Sequence, residues 1–222
     1  MRGVLLVVVA GCGRLEFDAT SDANRIDAPA PCLVDDFSGP SLDSKKWGSF
    51  ETAPTTFSIT AGELVIQLAT TTQVAYAGLA TPRGDIAGSS VEVELVEAPA
   101  SVIGTEVTLG WVLDSANQCV MYVGNAGRLT FRQTKLGAIT DVADISFDPV
   151  QHRHWAMQHE PSTNLVRFST SADGTTWTLQ HESTLGFPST GVFMEILAGT
   201  YQSVTSPGRA RLDNVVVRGC TP

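Results

Sequence analysis

The stretch His152–Ser183, HRHWAMQHEPSTNLVRFSTSADGTTWTLQHES, decides the fold. Apolar and polar residues alternate along it, so Trp155 and Met157 fall on one side of an extended chain and His154 and Gln158 on the other. Pro161-Ser162-Thr163 and Ala172-Asp173-Gly174 interrupt the alternation with residues that favour turns. No apolar stripe at helical spacing runs through it. The stretch reads as strand, turn, strand, turn, strand.

The same texture extends in both directions. ELVIQLA (63–69), VEVEL (91–95), TEVTLGWVL (105–113), QCVMYVG (118–124) and RLTFRQT (128–134) alternate in large part with period two, as do GVFMEILAG (191–199) and RARLDNVVV (209–217). About a dozen such strands in a chain of 222 residues predict one all-β domain, a two-sheet antiparallel jelly-roll sandwich. The composition agrees, with 20 Gly, 11 Pro and 17% charged residues. The net charge of -9 gives no sequence-wide attraction to phosphate backbones, which argues against nucleic acid as a partner.

The N-terminus differs. MRGVLLVVVAGCGR places one Arg before a short apolar run that is too brief to span a bilayer, and the run ends in Val9-Ala10-Gly11-Cys12. The tetrapeptide resembles a bacterial lipobox, which implies lipidation of Cys12 and an exported lipoprotein of the outer membrane or cell surface, held to the membrane by its lipid. Residues 1–11 are then the signal peptide. Residues 12–32, rich in Asp, Ala and Pro, read as a disordered tether, and residues 33–220 as the domain. Export permits oxidation, so Cys32 and Cys220, which bracket the domain, are the expected disulfide. Cys119, set among apolar residues, is expected as a buried free thiol.

DDFSGPSLDSKKWGSF (35–50), the central segment 152–183 and the closing RARLDNVVV together resemble the concanavalin A-like lectin/glucanase domains. The resemblance covers about residues 33–217 and implies a jelly roll of two curved sheets whose concave face often binds sugar. Laminarinase-type glucanases of that superfamily use E-x-D-x-x-E. VEVELVE offers Glu92, Glu94 and Glu97, with Glu in the Asp position and without tryptophans just upstream. The simpler reading puts Val91, Val93 and Leu95 in the core, points Glu92 and Glu94 to water on a wet sheet face, and has Glu97 start the turn before Pro99.

Other candidates are sparse. Tyr122 and Tyr201 are expected as exposed sugar platforms, with Arg132 and Gln133 as polar neighbours. The four histidines do not assemble a zinc set by parity. No cofactor is expected beyond a structural calcium on Asp35, Asp36 and Asp213, for which the alternative at Asp213 is a hydrogen bond to the backbone of a neighbouring loop. STSADGTTW (169–177) resembles a sialidase Asp-box with one residue missing and reads better as a hairpin turn. The functional expectation is a non-catalytic envelope module that recognises carbohydrate. The alternatives are a glycoside hydrolase using Glu92 and Glu97, and a structural or protein-interaction module without a sugar ligand.

Overall fold

The computed structural model describes residues 30–70, 73–124 and 126–220. Cys12, the signal segment and most of the tether lie outside the described residues. Sixteen strands appear in chain order: β1 (Pro31–Asp35), β2 (Gly48–Glu51), β3 (Thr56–Thr60), β4 (Glu63–Gln67), β5 (Ala75–Ala80), β6 (Gly84–Asp85), β7 (Ser90–Glu97) and β8 (Thr105–Asp114). They continue as β9 (Asn117–Gly124), β10 (Arg128–Lys135), β11 (Ala138–Ser146), β12 (His154–Glu160), β13 (Leu165–Ser171), β14 (Thr178–Thr184), β15 (Thr190–Thr200) and β16 (Arg209–Arg218). No helix among the described residues is long and apolar enough to cross a membrane.

The strands form two antiparallel sheets. The first runs β14-β13-β12-β7-β16-β4-β3, with β1 also on β16; the second runs β11-β10-β9-β8-β15-β5-β2, with β6 also on β15. The order is dictated by which faces must be dry. Trp155, Met157, Phe168, Val91, Val93 and Leu95 of the first sheet meet Trp111, Leu109, Phe131, Met121 and Ile196 of the second in one continuous core. Each such side chain contributes about 1.5–3 kcal/mol by leaving water. The strict alternation that marked His152–Ser183 is this core repeated on β12 and β13, where Trp155 and Phe168 are fully buried.

Cys32 and Cys220 form the expected disulfide, with Cα atoms 6.0 Å apart. The domain starts two residues earlier than expected, because Pro31 and Cys32 already belong to β1, with Pro31 opposite Arg218 of β16. Cys119 is the buried free thiol, and burial pushes its pKa up, so it is inert toward oxidants and metals. Asp173 accepts backbone N–H bonds from Thr175 and Thr176, each 2.8 Å, beside Gly174 at φ 71°, so the STSADGTTW segment is the β13–β14 hairpin turn.

Candidate active site

The outward face of the second sheet is a trough. Val120, Thr108, Thr130 and Tyr122 point away from the core by parity, yet only 1–7% of each is exposed. Outward residues reach such burial when the sheet curves toward that face and its side chains crowd together. Register sets the floor of the trough. Tyr76 on β5 lies opposite Gly199 on β15, which lies opposite Glu106 on β8. At Gly199 an added Cβ would sit 2.4 Å from the Tyr76 ring, so glycine is required for that ring to lie across β15. The Tyr76 hydroxyl reaches over it and donates a 2.8 Å hydrogen bond to Glu106.

Four residues along the same face, Glu195 of β15 is opposite Gly110, which is opposite Val120, which is opposite Arg132. Burial pushes the Glu195 carboxyl up to about 7, and the charge of Glu106 pushes in the same direction. Burial raises Glu106 as well; the Tyr76 hydrogen bond and the Arg132 charge oppose that rise without cancelling it. Tyr76 itself is raised by burial and by the Glu106 charge, so its hydroxyl keeps its proton and remains the donor. A half-buried carboxyl that titrates near neutrality, close to a second carboxyl, is an arrangement capable of general acid–base chemistry.

The residues expected from sequence are partly brought together here. Arg132 and Tyr122 share this face, with the guanidinium carbon 5.2 Å from the ring centroid. Tyr201 follows β15 at the outward parity and lies near enough for its charge to act on Tyr76. Two corrections follow. Tyr122 is only 7% exposed beneath Arg132, so its face is covered rather than offered to a sugar. Gln133 points the other way, as period two requires of the residue after Arg132; it is buried and donates to the carbonyls of Gln118 and Thr134.

Glu92, Glu94 and Glu97 occupy the outward face of the first sheet. A bulge sets Leu95 opposite Leu212 but Glu97 opposite Arg211, so one extra residue returns Glu97 to the side of Glu92 and Glu94. Glu97 therefore ends β7 rather than opening the following turn. Each carboxylate has an arginine: Arg218 lies 3.7 Å from Glu92, and Arg209 2.9 Å from Glu97. Glu94 is bound by Arg153 (2.6 Å from its Nε) and by Asn214 (2.7 Å). Glu94 is not solvated as expected, being 7% exposed. Burial pushes its carboxyl up, but the bonds from Asn214 and Arg153 and the Arg153 charge prevail and hold it below the ordinary range. That environment keeps Glu94 ionised, the opposite of what a general acid needs.

The aspartates expected to hold calcium carry protein donors. Asp35 accepts from the Trp47 indole at 2.7 Å and from Phe37 N at 3.0 Å, and Asp36 accepts from Ser38. Asp213 accepts from the backbone N–H of Asn214 at 2.7 Å, the next residue of β16, rather than from the neighbouring loop of the alternative reading. Among the described residues no cluster of three or more His, Cys, Asp or Glu is placed to hold a metal ion. The histidines are dispersed: His159 bonds Asn164, His181 bonds Asp141, and His154 lies opposite Glu94.

The fold is a two-sheet antiparallel jelly roll, with a trough that carries two desolvated glutamates. Solved structures share it: a laminarinase from Flavobacterium sp. UMI-01 is similar at a TM-score of 0.64 and 12% identity, over 86% of this chain and 100% of that one. A β-glucanase from Bacillus licheniformis matches at 0.62 and 12%, over 84% and 97%. A glycosyl hydrolase family protein from Mycobacterium fortuitum matches at 0.62 and 17%, over 85% and 99%. No protein-family model matches the chain, and no curated protein does. Identities this low establish a common fold. The main functional expectation, a non-catalytic recognition module, is nevertheless corrected by these neighbours. In each of these glycoside hydrolases the shared jelly roll is nearly the whole chain, not a module appended to it.

Proposed function

We propose that the domain is a glycoside hydrolase acting on a polysaccharide, with Glu195 as general acid and Glu106 as its carboxylate partner. The observation that carries this is the placement of Glu195 and Glu106 on one outward sheet face crowded enough that burial pushes Glu195 up to about 7. Such a group holds a proton near neutral pH and can deliver it to a leaving-group oxygen. Glu106 suits the base because Tyr76 and Arg132 both favour its ionised form. Four residues of adjacent strands separate the two α-carbons, about 13 Å. To act on one bond the two side chains must lean toward each other, and from that spacing the wider carboxyl separation of an inverting hydrolase is easier to reach than the about 5–5.5 Å of a retaining one.

A second reading uses Glu92 and Glu97, and the bulge that gathers them on one face is what favours it. Reducing-sugar release from laminarin and mixed β-glucans separates the two. Glu195→Gln and Glu106→Gln should each lower turnover by about 10²-fold or more, with Glu92→Gln and Glu97→Gln near wild type. The reverse pattern would move the site to the first sheet. A wild-type protein inert on a broad panel of polysaccharides would refute the hydrolase reading altogether.

The same proposal puts the domain outside the cytoplasm on a lipid at Cys12. The Cys32–Cys220 bridge supports this, since such bonds persist in oxidising compartments.

A further inference from the structure

We propose that Arg132 forms an anion-binding subsite in the trough, so that the polysaccharide taken there carries carboxylate or sulfate groups. This rests on the hydrolase reading of the same face and narrows it to an acidic glycan.

The argument starts from how the chain treats its other arginines. Every other described arginine has a carboxylate within ion-pair distance, except Arg83, which donates to the carbonyls of Leu113 and Gly191. Arg132 has neither kind of partner among the described residues. Its Nε is buried without a hydrogen-bond acceptor. Acidic residues outnumber basic ones 23 to 14, so a partner was readily available in composition. An unmatched buried donor is costly, and a ligand that supplies the acceptor removes the cost.

The placement suits a ligand. The guanidinium carbon lies over the Tyr122 ring, 5.2 Å from its centroid, a cation–π contact that holds the side chain against the sheet on the outward face and leaves its nitrogens to other partners. Arg132 stands in the same cross-strand row as Glu195, three strands and so about 14 Å away. An anionic substituent on a neighbouring unit of a glycan bound over Glu195 would therefore meet the guanidinium fork, which matches carboxylate and sulfate oxygens in pairs. Glu106 is close enough to feel the Arg132 charge yet is bonded to Tyr76 instead, so the two have not collapsed into an ion pair.

The test is affinity electrophoresis of the full chain through gels containing alginate (carboxylate groups), carrageenan (sulfate esters) or uncharged laminarin. Wild type should be retarded by at least one acidic polymer more strongly than by laminarin. Arg132→Gln should weaken that interaction by about tenfold or more while leaving laminarin retardation unchanged. Arg132→Lys should recover part of it. Arg128→Gln serves as the control, because Arg128 already pairs with Asp144 at 2.5 Å, and should behave as wild type. Which acidic gel responds tells carboxylate from sulfate recognition. Equal retardation of wild type and Arg132→Gln in every gel, or binding to laminarin alone, overturns the subsite and leaves the hydrolase proposal standing. Arg132-dependent binding of an acidic glycan without turnover of any polymer upholds the subsite and removes the hydrolase proposal.

Discussion

Glu195 gives a prediction whose sign and size both follow from its surroundings. Its carboxyl titrates at about 7 in the folded chain against an ordinary value of 4.5, with burial as the main cause. Below 4.5 the group is protonated in both folded and unfolded chains and contributes no pH dependence. As pH rises from 4.5 to 7, the unfolded chain releases this proton and the folded chain keeps it, so folding becomes progressively less favourable. Each pKa unit corresponds to about 1.36 kcal/mol, which puts the full effect near 3 kcal/mol; the partial access of water to the trough reduces it to about 1–3 kcal/mol. Glu195→Gln removes the ionisation and keeps the shape. Urea unfolding of both proteins at pH 4.5 and pH 8.5 measures the difference directly. The variant should match wild type within about 0.5 kcal/mol at pH 4.5 and exceed it by about 1–3 kcal/mol at pH 8.5. A stability difference that is the same at both pH values would refute the desolvated acid, and with it the chemistry assigned to the trough.

Two further outcomes are expected. Cys220→Ser opens a covalent loop with a sequence separation of 188, and should cost about 2–5 kcal/mol in urea unfolding, matched by wild type under reductant. A loss under about 1 kcal/mol would mean that the β1–β16 ladder holds the N-terminal strand unaided. Expressed in a bacterium fed radiolabelled palmitate, the full chain should take up label, and Cys12→Ala should not; label retained in the variant would remove the lipid anchor from the proposal.

The sandwich was legible because burial acts on alternate residues. Trp155, Met157, Val166 and Phe168 carry their side of the core as a period of two that any reader of the sequence can find. A strand without β-branched residues escaped: AYAGLA became β5 because Gly78 lies tight against β15, not because of β-branched propensity. The trough was hidden for a different reason. Tyr76, Glu106 and Glu195 come from three strands and meet only through register, which local pattern does not encode. One signal was present. In VFMEILAG the outward positions Phe193, Glu195 and Leu197 set a lone acid between two apolar residues, the mark of a carboxylate on a face that water reaches poorly. The E-x-E-x-x-E motif shows its carboxylates but not their partners; the arginines that pair with them arrive from β16 and from the residue before β12.

The position of β16 has a bearing on how the chain acquires its shape. This strand, the last in sequence, pairs with β1, β4 and β7 and so holds together the two halves of the first sheet. A ribosome must therefore pass residue 218 before that sheet can be completed, and every shorter nascent chain exposes the edges of β4 and β7. Completion of the first sheet thus rests on contacts of very long sequence separation, which makes it slow. Until β16 arrives, the first sheet is two unjoined parts, a loose state that a polypeptide can still rearrange or thread through a narrow opening.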